Sequence, residues 1–376
     1  MRRRQYDEFM TTNRHVPASA PTISEVAKAA GVGRATAART LGGYGSVGAE
    51  TRNKVEAAAL RLGYQTNELA RSMSTGETKT LGVVVADIGN PFFAGVVRGI
   101  SDYCENRGYN IVVLSTDENV AKERSAVELL RNKRVDGLIV ASAAIKAQSA
   151  DHISAAVKRG TPVVLVDRAI RGLDFDTVLI DNRDAARLAV AHLISHGHRR
   201  IGFVWGPETA SPPVSVSELL AAAENALWSD GERLQGYLAA LFESGIEFDA
   251  DLVTTTPKNR EDAERGVARM LALPCRPTAL FATEADATIG ALNAIRRAGL
   301  GYPRDISLIG FDDNPWAGVI DPPLTMVSQP MLELGQRAAE QLINRIDGNR
   351  AEHSVDVLST VLIERSSVTG PLNAGE

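Results

Sequence analysis

From Leu81 onward the chain alternates short aliphatic runs with amphipathic stretches. L-G-V-V-V-A at 81–86, I-V-V-L-S-T at 111–116, G-L-I-V-A-S at 137–142 and P-V-V-L-V-D at 162–167 are four such runs. They lack the in–out alternation of a half-solvated strand. Unbroken apolar runs of this length read as parallel strands covered on both faces. The intervening stretches, about 92–108, 120–133 and 149–159, carry apolar residues at helical spacing. After D-T-V-L-I-D-N the pattern begins again. Helices are expected at about 183–196, 231–244, 261–272 and 286–298, with strands R-I-G-F-V-W-G, a short one near Leu252, T-A-L-F-A-T and D-I-S-L-I-G-F-D. Two successive doubly wound units imply two lobes with a cleft between them. Open α/β sheets bind ligands at the carboxyl ends of their strands.

Before Leu81 the period is helical. Thr22 with Glu25 is a capping box, in which hydroxyl and carboxylate each satisfy an orphan amide. Ile23, Val26 and Ala27 follow at helical spacing. Gly31 supplies a turn at which a positive φ is cheap only for glycine. Val32, Ala37 and Leu41 make the apolar side of a second helix. Its other side carries Arg34, Ala35, Thr36, Ala38 and Arg39. This is the pattern of a helix-turn-helix, whose second helix enters the DNA major groove. An ordinary αα-hairpin is the alternative; the basic outer face favours DNA. A third helix is expected over about 50–62, capped by Gly63.

The formal charge of −5 argues against nucleic acid until its distribution is considered. Residues 1–80 hold 12 Lys+Arg against 7 Asp+Glu, and the remainder 29 against 39. A basic head on an acidic body confines DNA to one end. Two distant cysteines, Cys104 and Cys275, provide no disulfide framework. No apolar run reaches membrane-spanning length, and M-R-R-R-Q-Y-D-E-F-M lacks the apolar core of a signal peptide. A reducing cytoplasm is the expected compartment.

Residues 22–73 resemble the headpiece of the LacI/GalR family of bacterial transcriptional regulators, whose pattern is T-x-x-D/E-V-A-x-x-A-G-V-S-x-x-T-V-S-R-x-L-N-G. The chain departs from it at Gly33 and Ala38, where the family has Ser, and at Gly42, where it has Asn. These departures remove hydroxyl or amide groups that contact phosphate and place more of the DNA affinity on Arg34, Arg39 and the hinge. The body resembles the periplasmic-binding-protein-like effector domain of the same family, through V-V-L-V-D-R at 163–168, H-L-I-S-H-G-H-R-R-I-G-F at 192–203, R-L-Q-G-Y at 233–237 and D-I-S-L-I-G-F-D-D. The implied fold class is α + α/β, a helix-turn-helix headpiece with a hinge helix ahead of a two-lobed domain. The implied domains are a disordered arm at 1–20, a headpiece at 21–66, hinge and linker at 67–79, and an effector and dimerisation domain at 80–376. Lobe 1 would take about 80–166 and 301–327, and lobe 2 about 167–300 and 328–365.

The resemblance implies a cytoplasmic homodimeric or tetrameric repressor, with operator DNA and a small sugar-like effector as partners, and no cofactor, metal or enzymatic activity. DNA contacts are expected from Thr22, Gly33, Arg34, Ala35, Thr36, Arg39, Tyr64, Asn67, Ala70 and Met73. Arg34 can grip guanine with two bonds, Thr36 a phosphate, and Met73 can wedge apart a base step. Asn67 caps a hinge helix too short to be stable alone.

For the effector, the strand-end turn D-I-G-N-P-F-F offers Asp87 to hydroxyls and Phe92 or Phe93 to an apolar ring face. Asn90-Pro91 as plain turn chemistry is the alternative. Arg233 matches the family's cleft arginine, and Arg168 is a further candidate. The family's F-A-x-N-D is F-A-T-E-A-D here, which leaves Ala285 at the carboxylate position between Glu284 and Asp286. Asp286 is retained as a candidate. An insertion separates Gly206-Pro207 from Arg233. Its S-x-x-E signal at Ser215, with Leu219, Ala223 and Leu227 four apart, predicts an extra helix, either a lid at the cleft mouth, or surface decoration or a subunit contact. His192, His196 and His198 lack the acid or thiolate shell of a zinc site. There is no nucleophile elbow or phosphate loop. A periplasmic sugar receptor and a sugar-modifying enzyme are the rival classes.

Overall fold

The computed structural model describes residues 21–42, 45–64, 76–205, 209 and 213–372. The chain forms two compact units, Met1–Thr78 and Lys79–Glu376. The expected arm at 1–20 and the hinge positions Asn67, Ala70 and Met73 lie outside the described residues.

In the first unit, α1 (Ile23–Ala30), α2 (Arg34–Gly42) and α3 (Ala49–Leu62) surround a small core. The capping box is complete: the Glu25 amide donates to Thr22 Oγ1, and the Thr22 amide donates to the Glu25 carboxylate at 2.6 Å. Gly31 ends α1 at φ +68°. Val26, Ala37 and Val55 are fully buried, joined by Ala27, Ala58 and Ala59. Four alanines among these six let three helices approach closely.

The second unit holds two six-stranded sheets. β1 (Thr80–Val85), β2 (Asn110–Ser115), β3 (Gly137–Val140), β4 (Val163–Val166), β5 (Asp176–Ile180) and β11 (Val355–Leu358) form the first, in the order β11-β5-β4-β3-β1-β2. β6 (Ile201–Trp205), β7 (Val253–Thr255), β8 (Ala279–Ala282), β9 (Ser307–Phe311), β10 (Thr325–Ser328) and β12 (Val361–Ile363) form the second, ordered β12-β10-β9-β8-β6-β7. Only the β10–β12 pair is antiparallel. The helices of this unit are α4 (Pro91–Glu105), α5 (Val120–Asn132), α6 (Asp151–Lys158), α7 (Asn182–Ser195), α8 (Val216–Glu224), α9 (Trp228–Glu243), α10 (Arg260–Leu271), α11 (Ala285–Arg297) and α12 (Met331–Ile346). None is long and apolar enough to cross a membrane. Leu81, Val164 and Val178 of the first sheet share one apolar cluster with Phe203, Phe281 and Ile309 of the second. Cys104 and Cys275 are free thiols, and burial pushes Cys104 up to about 11.

The lobe boundaries differ from those expected. Asp176–Ile180, assigned to lobe 2, pairs with β4 and β11 in the first sheet. β9 and β10, assigned to lobe 1, continue the second sheet through Ala279↔Ser307 and Thr325↔Ile309. α12 packs on α4 and the first sheet. Strand pairing decides these memberships, and it places the crossings after Ile180, Ser328 and Leu358. At the α4–α12 contact, a Cβ on Gly335 would strike the Val96 carbonyl, and one on Gly99 the Leu332 carbonyl. Glycine at both positions lets the two backbones touch.

The insertion contains the expected helix. Ser215 Oγ accepts from the Glu218 amide at 3.2 Å and starts α8, and Leu219 and Ala223 are buried. Leu227 lies beyond α8, at the N-cap of α9.

Candidate functional site

The exposed side of the headpiece carries Thr22, Gly33, Arg34, Ala35 and Arg39, with Thr36 half-buried. Arg39 Nε reaches the Ala35 carbonyl at 3.4 Å, and among the described residues the Arg34 guanidinium has no hydrogen-bond or ion-pair partner. Tyr64 packs against the headpiece core. Arg34 and Arg39 therefore present charge on one short helix with nothing acidic bonded to it, an arrangement suited to phosphate or a guanine edge.

In the second unit, the carboxyl ends of strands from both sheets converge on a cavity of about 40 Å³. The first lobe supplies Asn90, Phe92, Phe93, Glu118, Asp167 and Arg168; the second supplies Ser229, Asp230, Arg233, Lys258, Glu284 and Asp312; Gln329 lies on the crossing between them. Asn90 Oδ1 accepts from the Phe92 amide at 3.0 Å and caps α4. This seats Phe92 and Phe93 edge to face, 4.9 Å between centroids. Three of the acids stand just past strands in left-handed backbone: Glu118 at φ 55°, Asp167 at 70° and Asp312 at 67°. Non-glycine residues adopt that region at a cost, and such strain collects at functional sites.

Arg168 and Lys258 are tightly paired with acids in the cavity. Arg168 donates from Nε to Asp167 at 2.9 Å and from Nη2 to Glu118 at 2.6 Å. Its Nη1 is buried without a partner. Arg233 donates from Nε to Asn182 Oδ1 at 2.8 Å and from Nη1 to the Thr283 carbonyl at 2.7 Å, 3.8 Å above the Phe311 ring. Lys258 sits 2.8 Å from Asp230, and Gln329 Nε2 donates to Asp312 at 2.6 Å, which leaves Gln329 Oε1 unpartnered. Burial raises the Glu118 carboxyl, but Lys258 and Arg168 outweigh it and bring it down to about 2. Burial keeps Asp167, Glu284 and Asp312 above the ordinary carboxylate range against the nearby cations. For Arg168 and Lys258, burial opposes the charge and the surrounding acids win, so both stay protonated.

The structure brings Phe92, Phe93, Arg168 and Arg233 together. Two expected residues are elsewhere. Asp87 is exposed and accepts from the Gly89 amide at 2.7 Å, closing its own turn. Asp286 lies on the first turn of α11, half-exposed, and pairs with Arg260 at 2.8 Å. Glu284, at the N-cap position of that helix, is the carboxylate that reaches the cavity. The sequence reading missed Glu118, Asp167, Asp230, Lys258, Asp312 and Gln329. Asp167 and Asp312 carried a signal, an Asp at the end of each aliphatic run. Lys258 and Gln329 carried none, because long-range packing delivers them. His198 is occupied by Thr278, Ser307 and the Thr369 carbonyl.

Residues 22–67 match the model for bacterial regulatory proteins of the lacI family, and residues 78–366 match that for periplasmic binding proteins and the sugar binding domain of the LacI family. The chain belongs to the LacI family of bacterial regulatory proteins. It is 31% identical over 92% of its length to the ribose operon repressor of Haemophilus influenzae, covering 98% of that protein. The lac repressor dimer bound to operator and an anti-inducer is similar in structure, with a TM-score of 0.78 and 25% identity, over 93% of this chain and 99% of that one. A LacI family regulator from Enterococcus faecium with bound ribose gives 0.65 and 29%, over 78% of this chain and 100% of that one.

Proposed function

We propose that this protein is a transcriptional repressor that binds a near-palindromic operator as a homodimer and is controlled by a small uncharged polyhydroxylated molecule in the interlobe cavity. The carrying observation is one chain that joins an exposed basic helix-turn-helix to a cleft of paired charges. In this reading Arg34 and Arg39 contact bases and phosphates, with Thr22, Gly33, Ala35, Thr36 and Tyr64 beside them. Asn67, Ala70 and Met73 form the hinge that meets the minor groove. The similarity to a lac repressor dimer on its operator supports the two-fold arrangement.

The cavity chemistry narrows the effector. Arg168 and Lys258 are each neutralised by an acid, and Glu284 and Asp312 have no cation bonded to them. A phosphate or carboxylate ligand would meet five acids against three cations, and each of those cations is already bonded. Hydroxyl groups both donate and accept, and they suit carboxylates, the free Arg168 Nη1 and the free Gln329 Oε1 together. Phe92 and Phe93 offer an apolar wall. The similarity to a ribose-bound regulator and a ribose operon repressor makes D-ribose the first probe.

Gel shifts with the promoter region of the protein's own gene, with and without D-ribose, other pentoses, hexoses and sugar phosphates, test both halves. Sequence-specific binding altered by a neutral sugar and untouched by sugar phosphates is expected. Failure to bind any such promoter at low salt, with or without these compounds, would refute the repressor assignment. A thermal shift with sugar phosphates alone would refute the effector class.

A further inference from the structure

The inserted helix α8 is tied to the opposite lobe. Arg171, three residues beyond Arg168 in the first lobe, donates from Nη1 to the Ala226 carbonyl at 2.8 Å and from Nη2 to the Ala223 carbonyl at 3.2 Å. Lys146 Nζ donates to Asn225 Oδ1 at 2.9 Å. Lys146 and Arg171 form an isolated parallel bridge, with the Ala147 amide on the Arg171 carbonyl at 3.0 Å. The first lobe thus holds two cations side by side against the carboxyl end of α8, where helix carbonyls carry partial negative charge. Neither cation is paired with a carboxylate. Arg171 also lies over the Trp228 ring, 5.4 Å from its centroid.

This contact is at the rim of the cavity. Ser229 and Asp230, one and two residues beyond Trp228, line the cavity, and Arg168 lines it from the first lobe. The volume of about 40 Å³ has room for a few waters at most, far below the roughly 300 Å³ of small-molecule pockets, so an effector fits only if the lobes part. Parting them moves Arg171 away from Ala223 and Ala226.

We propose that α8 is a strap, latched across the cleft mouth by Lys146 and Arg171, that holds the lobes closed and sets how fast the effector exchanges. The proposal rests on the interlobe cavity being the effector site, but its first test needs no effector. The strap acts on the cavity through Trp228, which couples the α8 end to Asp230 and to Lys258 beyond it.

Hydrogen exchange of the full-length protein is compared with that of the K146Q/R171Q double variant. Exchange should rise by about tenfold or more at 216–226 and also at the cavity walls 167–170 and 228–234. A rise confined to 216–226, or no rise, overturns the strap, because a helix that only decorates the surface would loosen alone. Gly231→Ala is the independent variant. A Cβ there would stand 2.9 Å from the Ala223 carbonyl and 3.0 Å from Arg171 Nη2, which displaces the latch while both cations remain. It should reproduce the same pattern, and normal protection of both walls would count against the latch. With D-ribose as probe, dissociation should be about tenfold faster in either variant, and equal rates overturn the kinetic role. If the wild-type protein ignores D-ribose, the choice of effector fails and the exchange result still decides the strap.

Discussion

Arg233 performs three tasks from one guanidinium: it holds Asn182, holds the Thr283 carbonyl and covers Phe311. A lysine keeps the charge but has no planar fork to reach all three. Arg233→Lys should cost about 1–3 kcal/mol in urea unfolding, because buried partners lose their donors, and should abolish the effector response. Unchanged stability would show that these bonds contribute little. At the far end of the first sheet, burial raises the Asp176 carboxyl, but bonds from Arg345 at 2.6 and 2.9 Å, the Ser354 amide and His353 outweigh it and hold it below the usual range. A carboxylate depressed in the folded state stabilises above its unfolded value of about 3.9, and that stabilisation disappears as pH falls through the folded value. Asp176→Asn should therefore be less stable by about 3 kcal/mol at neutral pH, with the gap closing below about pH 4. Urea melts at both pH values check this, and a pH-independent gap would refute it. The misplacement of Asp286 also belongs to this scale. Glu284 is the extended N-cap residue of α11 and Asp286 lies within its first turn, so only knowledge of where the helix starts could have separated their roles.

At the scale of elements, most of the strands were legible from their aliphatic runs, but the run at 111–116, expected to be covered on both faces, forms the edge strand β2 with Val112 exposed, because nothing pairs or packs beyond it in that sheet among the described residues. β11 and β12 were not legible, being three or four residues long at sheet edges with Val355, Val357 and Val361 exposed. Nor could local pattern show which sheet β9 and β10 join, since either would bury them equally well. The helix starts were readable from their caps. Thr22→Ala should lower headpiece stability by about 1 kcal/mol, measured by thermal melting of the first transition, through loss of the reciprocal bonds with Glu25. The close α4–α12 crossing predicts more: Gly335→Ala should cost about 1–3 kcal/mol or more, because its Cβ meets backbone that cannot rotate away. A melting temperature equal to wild type would mean that the helices separate freely.

Across the whole molecule, two classes of charge respond differently to salt. In the proposed reading the exposed Arg34 and Arg39 bind DNA through counterion release, so operator binding should weaken as salt rises. The buried ion pairs around Arg168 and Lys258 are screened far less, and effector affinity should change little over the same range. Arg34→Ala should reduce operator affinity by about 1–3 kcal/mol and relax discrimination against a shuffled duplex at fixed salt. An equal loss on both duplexes would reassign Arg34 to the phosphate backbone.

All three crossings depart from strands at one edge of their sheets, β5 and β11 in the first and β10 in the second; the last arrives at the neighbouring β12, whereas the first runs through α7 to β6. Three tethers side by side behave as a door hinge: they resist shear and stretch and leave rotation about one axis. A cut in any one of them leaves two, so a nicked chain keeps its pivot. Gln329 sits on the second of these crossings and donates to Asp312 in the cavity wall, so rotation about the hinge acts directly on the cavity.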